Sequence, residues 1–149
     1  MDASGNVVAN HGFLWKDGAF TQIDFPGSSD TVVFGINSRG DIVGGWDTGV
    51  TSPNEHGFVC SKGSCFSFDV SSAVVTQGDA ISIDGVVVGV YVESNGITHG
   101  FEAVGSNLTT LDFPHATLTL YWGINAHGQI VGNYFSADGV EHGFLATRR

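Results

Sequence analysis

His99-Gly100-Phe101 opens the stretch that decides the fold, and Ile130-Val131-Gly132-Asn133-Tyr134 closes it. Between them lie Leu111-Asp112-Phe113 and Gly123-Ile124-Asn125. The rest of the chain consists of whole or partial copies of this unit. Self-similarity with a period of about 20 to 50 residues indicates a repeat architecture, so the chain is expected to consist of copies of one structural module.

The repeat is defined by recurring residues at nearly constant spacing. His-Gly-Phe occurs four times at offsets of 45, 43 and 43 residues, and an aspartate follows each of the first three histidines by 13 residues. Val-Gly recurs at Gly44, Gly89 and Gly132, and an aromatic residue follows each of these glycines by two residues. Gly-Ile-Asn ends at Asn37 and Asn125, whereas the middle copy reads Ile83-Asp84, which we interpret as a two-residue deletion that tightens its turn. The recurring residues are His11, His56, His99 and His142; Asp24, Asp69 and Asp112; and Trp46, Tyr91 and Tyr134.

Composition limits both the class of protein and the class of partner. A chain of 149 residues with 42% hydrophobic residues can fill one core of ordinary size. Its 22 glycines against 3 prolines suit many tight turns between short strands. The formal net charge of -10 repels nucleic acid and anionic membranes, so neither is expected as a partner. The chain has no run of apolar residues long enough for a transmembrane helix, and residues 1–5 do not resemble a signal peptide.

Short β-branched and aromatic runs between Gly-rich turns predict an all-β fold. Each copy yields four strands, which we letter a (from His11), b (from Phe20), c (from Val32) and d (from Ile42). The c–d, d–a and a–b links suit hairpins and the b–c link does not, so the expected unit is a four-stranded antiparallel meander c-d-a-b, like a propeller blade. Two blades fall at 32–70 and 81–113, and a third would join 120–145 to the N-terminal strand 20–25.

The whole chain, 1–149, is expected to form a single all-β repeat domain. Its repeats lie at about 11–55, 56–98 and 99–141, with a final strand at 142–149. Three blades are few for a closed propeller, which typically has about four to eight. Either copies of the chain complete a larger ring as a homo-oligomer, such as a dimer, or the fold is a different threefold arrangement. A β-prism and a β-trefoil are the alternatives.

Three strings carry a resemblance to a known family: His-Gly-Phe, Ile-Asp-Phe-Pro-Gly at 23–27, and Gly-Ile-Asn-x-x-Gly-x-Ile-Val-Gly at 123–132. Over nearly the whole chain they resemble the bacterial extracellular repeats named for a His-Ala-Phe (HAF) signature. The resemblance implies an exported β-repeat protein and no established activity. The second copy departs from the pattern at Ile83-Asp84-Gly85.

The repeated histidines and aspartates look at first like catalytic pairs. A residue that every copy carries usually has a structural role that all copies share. We therefore expect each histidine to hydrogen-bond the aspartate of strand b or a loop carbonyl. Propellers with Gly-His and Trp-Asp signatures use these side chains in this way. A ring of histidines around a metal is the alternative, but the local ligand spacing of metal sites is absent. We therefore predict structural roles for all seven residues, with no catalytic residue, no metal and no cofactor.

Cys60 and Cys65 stand at the two ends of a hairpin turn, in positions that the other copies fill with Trp15 and Phe20 or with Ala103 and Leu108. Residues directly opposite each other on neighbouring strands lie near disulfide reach. We predict a disulfide between them, with two reduced thiols as the alternative. A disulfide indicates an oxidising compartment, so the expected location is extracellular or periplasmic.

The aromatic residues at the end of strand d supply the ligand hypothesis. Trp46, Tyr91 and Tyr134 border the loops and could stack on sugar rings, beside the polar neighbours Asn133 and Asp47. The first hypothesis is therefore a non-enzymatic exported module that binds a glycan or cell-surface polysaccharide multivalently. The second is a structural, self-assembling surface protein without a small ligand. The third and weakest is a hydrolase that uses the repeated His and Asp. Packing between blades is the alternative role for these aromatic residues.

Overall fold

The computed structural model describes residues 9–49 and 54–147, so the last two residues of the expected strand 142–149 lie outside it. The described residues form an all-β fold of 13 strands in four antiparallel sheets, which confirms the predicted class. None of the described residues forms a helix that could cross a membrane. The strands are β1 (Gly12–Lys16), β2 (Ala19–Ile23), β3 (Asp30–Ile36), β4 (Ile42–Asp47), β5 (His56–Ser61), β6 (Ser64–Phe68), β7 (Ala73–Ile81), β8 (Val87–Glu93), β9 (Thr98–Val104), β10 (Asn107–Thr110), β11 (Leu118–Ile124), β12 (Ile130–Phe135) and β13 (Glu141–Ala146).

The sheets follow the chain in order. Sheet 1 is the hairpin β1–β2, sheet 2 holds β3 to β6, sheet 3 holds β7 to β10, and sheet 4 holds β11 to β13. Sheets 2 and 3 have the predicted c-d-a-b order, with each strand paired to the next one along the chain. The propeller-like arrangement of these sheets stays a prediction, as do the β-prism and β-trefoil alternatives.

The N-terminal strand does not join the last sheet. Strand β2 pairs with β1, and within the described residues β13 pairs only with β12. The turn at Asp17 and Gly18, with φ of 52° and 84°, gives the two positive φ values of a type I′ hairpin. This tight turn holds β2 against β1, so the predicted third blade from 120–145 and 20–25 does not form as one sheet.

The glycine of the repeated Val-Gly is required for steric reasons where strand d pairs with strand c. Gly44, Gly89 and Gly132 each face a backbone carbonyl oxygen of strand c so closely that a Cβ would lie about 2 Å from it. Each strand c also carries a bulge nearby, where one extra residue disturbs the register. The extra residues are Phe34 in β3, Asp79 in β7 and Trp122 in β11.

The turn between strands c and d has the same length in all three copies. The Asn37 amide bonds the Asp41 carbonyl and the Gly40 amide bonds the Asn37 carbonyl, and the same two bonds recur around Asn125. In the middle copy the amides of Ser82 and Gly85 make both bonds. The expected two-residue deletion is therefore wrong. Ser82 takes the place of asparagine, and the extra residues of the first copy lie in the d–a loop that ends before β5.

Apolar side chains from consecutive sheets meet in two clusters. The first joins sheet 2 to sheet 3 and includes Val43, Ile81 and Phe101. The second joins sheet 3 to sheet 4 and includes Val88, Tyr121 and Ile130. Strand β7 packs against β3, β4 and β5, and β11 packs against β7, β8 and β9. The hydrophobic core therefore lies between sheets, so each sheet depends on its neighbours for burial.

The predicted disulfide is present. Cys60 and Cys65 are directly opposite each other in the β5–β6 register, and their sulfur atoms are bonded. Lys62 and Gly63, between them, have φ of 51° and 81°, so this hairpin also turns through left-handed residues. The covalent link closes the a–b hairpin of sheet 2 alone, because the other copies carry no cysteine.

Candidate functional site

A histidine and an aspartate meet at the same place in three successive a–b hairpins. The a–b register places the residue before Gly12 opposite the residue after Ile23, and Gly57 with Phe68 is the matching pair in sheet 2. A spacing of 13 residues therefore brings the two side chains together across the hairpin. Since an ionised carboxylate only accepts hydrogen bonds, each histidine Nδ1 carries the proton and donates it. The Nδ1–Oδ distances are 2.9 Å for His11–Asp24, 2.9 Å for His56–Asp69 and 2.7 Å for His99–Asp112.

The aromatic residue of strand d lies against the histidine of the next strand a. The d–a register pairs Trp46 with His56, Tyr91 with His99 and Tyr134 with His142. Opposite residues in a sheet have adjacent side chains, so the rings meet. The ring centroids are 4.8 Å apart for Trp46–His56, 4.8 Å for Tyr91–His99 and 5.0 Å for Tyr134–His142.

The opposite faces of these aromatic rings are covered by the preceding copy. Phe25, just after β2, stacks on Trp46 with ring centroids 4.4 Å apart, and Phe113 stacks on Tyr134 at 3.7 Å. At the corresponding position Val70 packs against the cluster that contains Tyr91. The strand-d aromatic residue, the histidine and the aspartate together are called a clasp below. The two complete clasps are Trp46–His56–Asp69 and Tyr91–His99–Asp112.

The outermost histidines make different contacts. At the His11–Asp24 pair, the Gln22 side-chain amide donates a further 2.6 Å hydrogen bond to the Asp24 carboxylate. His142 keeps its stacked tyrosine but hydrogen-bonds no carboxylate among the described residues; its Nε2 lies 3.2 Å from the Ser136 hydroxyl. The middle of the chain therefore holds the full clasps, and the outer positions hold parts of them.

The clasps contain the His–Asp half of a hydrolytic triad without its third member. In a triad the aspartate orients the histidine and a hydroxyl or thiol faces its other nitrogen. The Nε2 of His99 instead lies 3.9 Å from the Glu93 carboxylate. Among residues 9–49 and 54–147, no serine or cysteine hydrogen-bonds the Nε2 of His11, His56 or His99. The same residues bring no three His, Cys, Asp or Glu side chains together in a way that could hold a metal ion.

The five residues expected to bind a ligand do not form one open surface. Tyr91 is only 5% exposed, and its hydroxyl lies 3.0 Å from Thr110. Trp46 packs against Phe25 and His56, Tyr134 packs against Phe113 and His142, and both residues are only partly exposed. Asn133 bonds the indole of Trp122 and the Glu141 carboxylate, and Asp47 accepts a bond from the Gly49 amide. Aromatic packing between copies accounts for Trp46, Tyr91 and Tyr134.

A groove with a volume of about 610 Å³ lies between sheets 2 and 3. Its wall includes Phe66, whose side chain is 65% exposed, together with the Asp69 carboxylate and Ser106. Val59 and Leu108 contribute apolar surface. The repeat pattern does not point to Phe66, because only this copy has an aromatic residue at that position. The sequence feature that could have identified it is an aromatic residue between Cys65 and Ser67, on the face of the strand opposite the disulfide.

Two aspartates have opposite electrostatic environments. Asp79, a bulge residue of β7, is 8% exposed, and its Oδ2 has no hydrogen-bond partner among the residues that the structure describes. Burial, and secondarily the nearby Glu55 carboxylate, raises the pKa of Asp79 to about 7. Asp41 also has little exposed surface, but hydrogen bonds from Ser61, Asn37 and Arg39 lower its pKa to about 2. The carboxyl of Asp79 therefore changes its charge near neutral pH.

No protein-family model matches the chain, and no curated protein matches it.

Proposed function

We propose that the chain is a non-enzymatic, exported binding module, whose ligand is a glycan and whose site is the groove between sheets 2 and 3. The observation that carries the proposal is the exposed ring of Phe66 on the wall of that groove. Ligand sites of small molecules have volumes of about 300–1,000 Å³ and combine apolar walls with a few polar groups. An aromatic ring can stack on the apolar face of a sugar, and the Asp69 carboxylate and Ser106 hydroxyl can bind sugar hydroxyls.

The site is present once in the chain. Thr21 and Thr109 occupy the positions that correspond to Phe66 in the a–b hairpins of sheets 1 and 3. Multivalent binding would therefore come from association of several copies and not from repeated sites within one copy. The Cys60–Cys65 disulfide supports export to an extracellular or periplasmic location, because such bonds persist in oxidising compartments. The resemblance to HAF repeats points the same way.

The finer architecture belongs to the same proposal. We infer that sheets 2, 3 and 4 are successive blades of an incomplete propeller. Support comes from the packing of β7 on sheet 2 and of β11 on sheet 3, with apolar clusters between them. The groove then lies between two neighbouring blades, in a position where residues of both sheets contact a ligand.

The test is glycan binding by the disulfide-intact chain on an array, followed by titration with each glycan bound. Phe66→Ala should weaken binding by roughly tenfold or more, since an aromatic anchor in a binding site commonly contributes this much. Phe34→Ala is the matched control, because Phe34 is an exposed phenylalanine outside the groove, and it should bind as the wild type does. Trp46→Ala would be a poor test, since Trp46 packs internally. Absence of binding to every glycan, or equal binding by Phe66→Ala and the wild type, would contradict the proposal.

A structural, self-assembling surface protein is the second candidate. Large apolar side chains exposed on the first and last sheets favour it, among them Trp15 and Leu145. A stable oligomer that binds no glycan would support this candidate over the first. A hydrolase is the weakest candidate, because the two complete clasps hold His56 and His99 between a carboxylate and an aromatic ring.

A further inference from the structure

The two ends of the row of sheets each expose an apolar face. Sheet 1 has an upstream face, formed by side chains that share one side of the β1–β2 hairpin: Phe13 and Trp15 alternate along β1, and Trp15 is directly opposite Phe20. Phe13 is 64% exposed, and all three side chains lie open to solvent. The rings of Phe13 and Phe20 contact each other at a centroid distance of 5.5 Å. These three residues define the upstream face.

Sheet 4 has a corresponding downstream face. Val131 and Leu145 are directly opposite each other on β12 and β13, and Val131 is 50% exposed. Trp122 joins them, because its indole bonds Asn133, which lies two residues from Val131 on the same side of β12. Leu145 and Trp122 are also exposed. Trp122, Val131 and Leu145 define the downstream face.

Inside the protein the equivalent positions are buried by a neighbouring sheet. Phe13 corresponds to Phe101 of sheet 3, which is fully buried and contacts Phe68 of sheet 2 at a centroid distance of 5.9 Å. Val131 corresponds to Val43 and Val88, both fully buried in the clusters that join their sheet to the next. Each internal contact therefore joins the downstream side of one sheet to the upstream side of the following sheet.

We infer that the downstream face of one copy of this chain packs on the upstream face of a second copy, so that the contact continues the one between its own sheets. The two surfaces differ, which makes the contact heterologous; such contacts generate a ring if the rotation closes and a filament if it does not. The inference deepens the self-assembly candidate and does not depend on glycan binding. The occupant is a second copy because this chain carries both halves of the interface.

Charge predicts the salt dependence of the association. Each copy carries 15 acidic against 5 basic residues, so two copies repel each other at low ionic strength. Screening this repulsion leaves the apolar contact unaffected. Association should therefore strengthen as sodium chloride is raised from low to physiological concentration, which is the reverse of what a contact held by ion pairs would show.

The experiment measures the solution mass of the full chain by light scattering over a range of concentrations, with two single variants. Trp15→Glu blocks the upstream face and Leu145→Glu blocks the downstream face, and each should raise the dissociation constant by roughly tenfold or more. An equimolar mixture of the two variants retains one intact face of each kind. It should form a dimer, twice the 15.6 kDa chain mass, and nothing larger. Val104→Glu, an exposed position outside both faces, should associate as the wild type does.

The outcomes separate this interface from the functions proposed above. A wild type that stays monomeric at high concentration and salt, or a mixture that stays monomeric, would overturn the inference. If the wild type forms oligomers that neither glutamate variant weakens, the self-assembly candidate stands and this interface is wrong. Circular dichroism of each variant verifies its fold. Glycan titration of Trp15→Glu shows separately whether the groove binds, because Phe66 lies outside both faces.

Discussion

Replacing Phe101 with alanine is expected to lower the free energy of unfolding by about 4 kcal/mol. Phe101 is fully buried in the cluster between sheets 2 and 3, where its ring meets Phe68 and packs near Val43. Truncation removes the contacts of the ring between the two sheets. It leaves a cavity, because strands held by backbone pairing relax only partly around it. Equilibrium denaturation in urea, monitored by tryptophan fluorescence, measures the change.

Phe13→Ala is the matched control, since Phe13 occupies the same position of the same His-Gly-Phe motif. Its ring is largely exposed, so the substitution should change the stability of a monomeric sample by no more than about 0.5 kcal/mol. The measurement is made at low protein concentration and low salt, where association of copies is weakest. Equal destabilisation by the two substitutions would contradict the account. It would mean that burial against a preceding sheet does not make Phe101 contribute more to stability than Phe13.

Asp79→Asn is expected to remove a large part of the decrease in stability between pH 5 and pH 8. The folded-state pKa of Asp79 is about 7, above the value of 3.8 for an unperturbed aspartate, so the folded chain holds a proton there that the unfolded chain has lost. Its contribution to stability is full below about pH 4 and is lost as pH rises through 7. Between pH 5 and pH 8 the wild type should therefore lose up to about 3 kcal/mol more than the variant.

The comparison of pH slopes isolates this one carboxyl. All ionisable groups except Asp79 are present in both proteins, so the comparison is of the difference between the two slopes. The nearby Glu55 carboxylate contributes to the raised pKa of Asp79, so the difference in slope includes the loss of this charge interaction. Asp84→Asn, at an exposed aspartate in the following turn, should leave the wild-type slope unchanged. Identical slopes for the wild type and Asp79→Asn would show that the Asp79 carboxyl is not held neutral.

Local signals were sufficient to predict the strand order and two of the side-chain contacts. The c-d-a-b meander of sheets 2 and 3 follows from the Gly-containing turns, because those residues reach the left-handed conformation that hairpins need. The same hairpin geometry brings Cys60 to Cys65, and it places His56 opposite Asp69 at a spacing of 13 residues. Contacts within one hairpin depend only on register, which short-range sequence determines.

Contacts between sheets could not be obtained in the same way. Phe13 and Phe101 have identical motifs but opposite burial, because within residues 9–49 and 54–147 only Phe101 has a sheet on its upstream side. The ring that stacks on Trp46 from the preceding copy is Phe25, which follows β2 of sheet 1. Asp79 resembles an ordinary strand residue until the bulge of β7 places it in a buried position, where the other copies have exposed aromatic residues.

The double-mutant cycle between His99 and Asp112 tests most directly the claim that the repeated histidines and aspartates hold hairpins together. The two side chains meet at 2.7 Å and are only partly exposed, so removing either should destabilise the fold, and removing both should cost less than the sum. His99→Asn, Asp112→Asn and the double variant, unfolded in urea at pH 7, should give a coupling energy of about 1 kcal/mol. His127→Asn, at an exposed histidine in another turn, should be additive with Asp112→Asn. Additive effects of His99→Asn and Asp112→Asn would contradict the account.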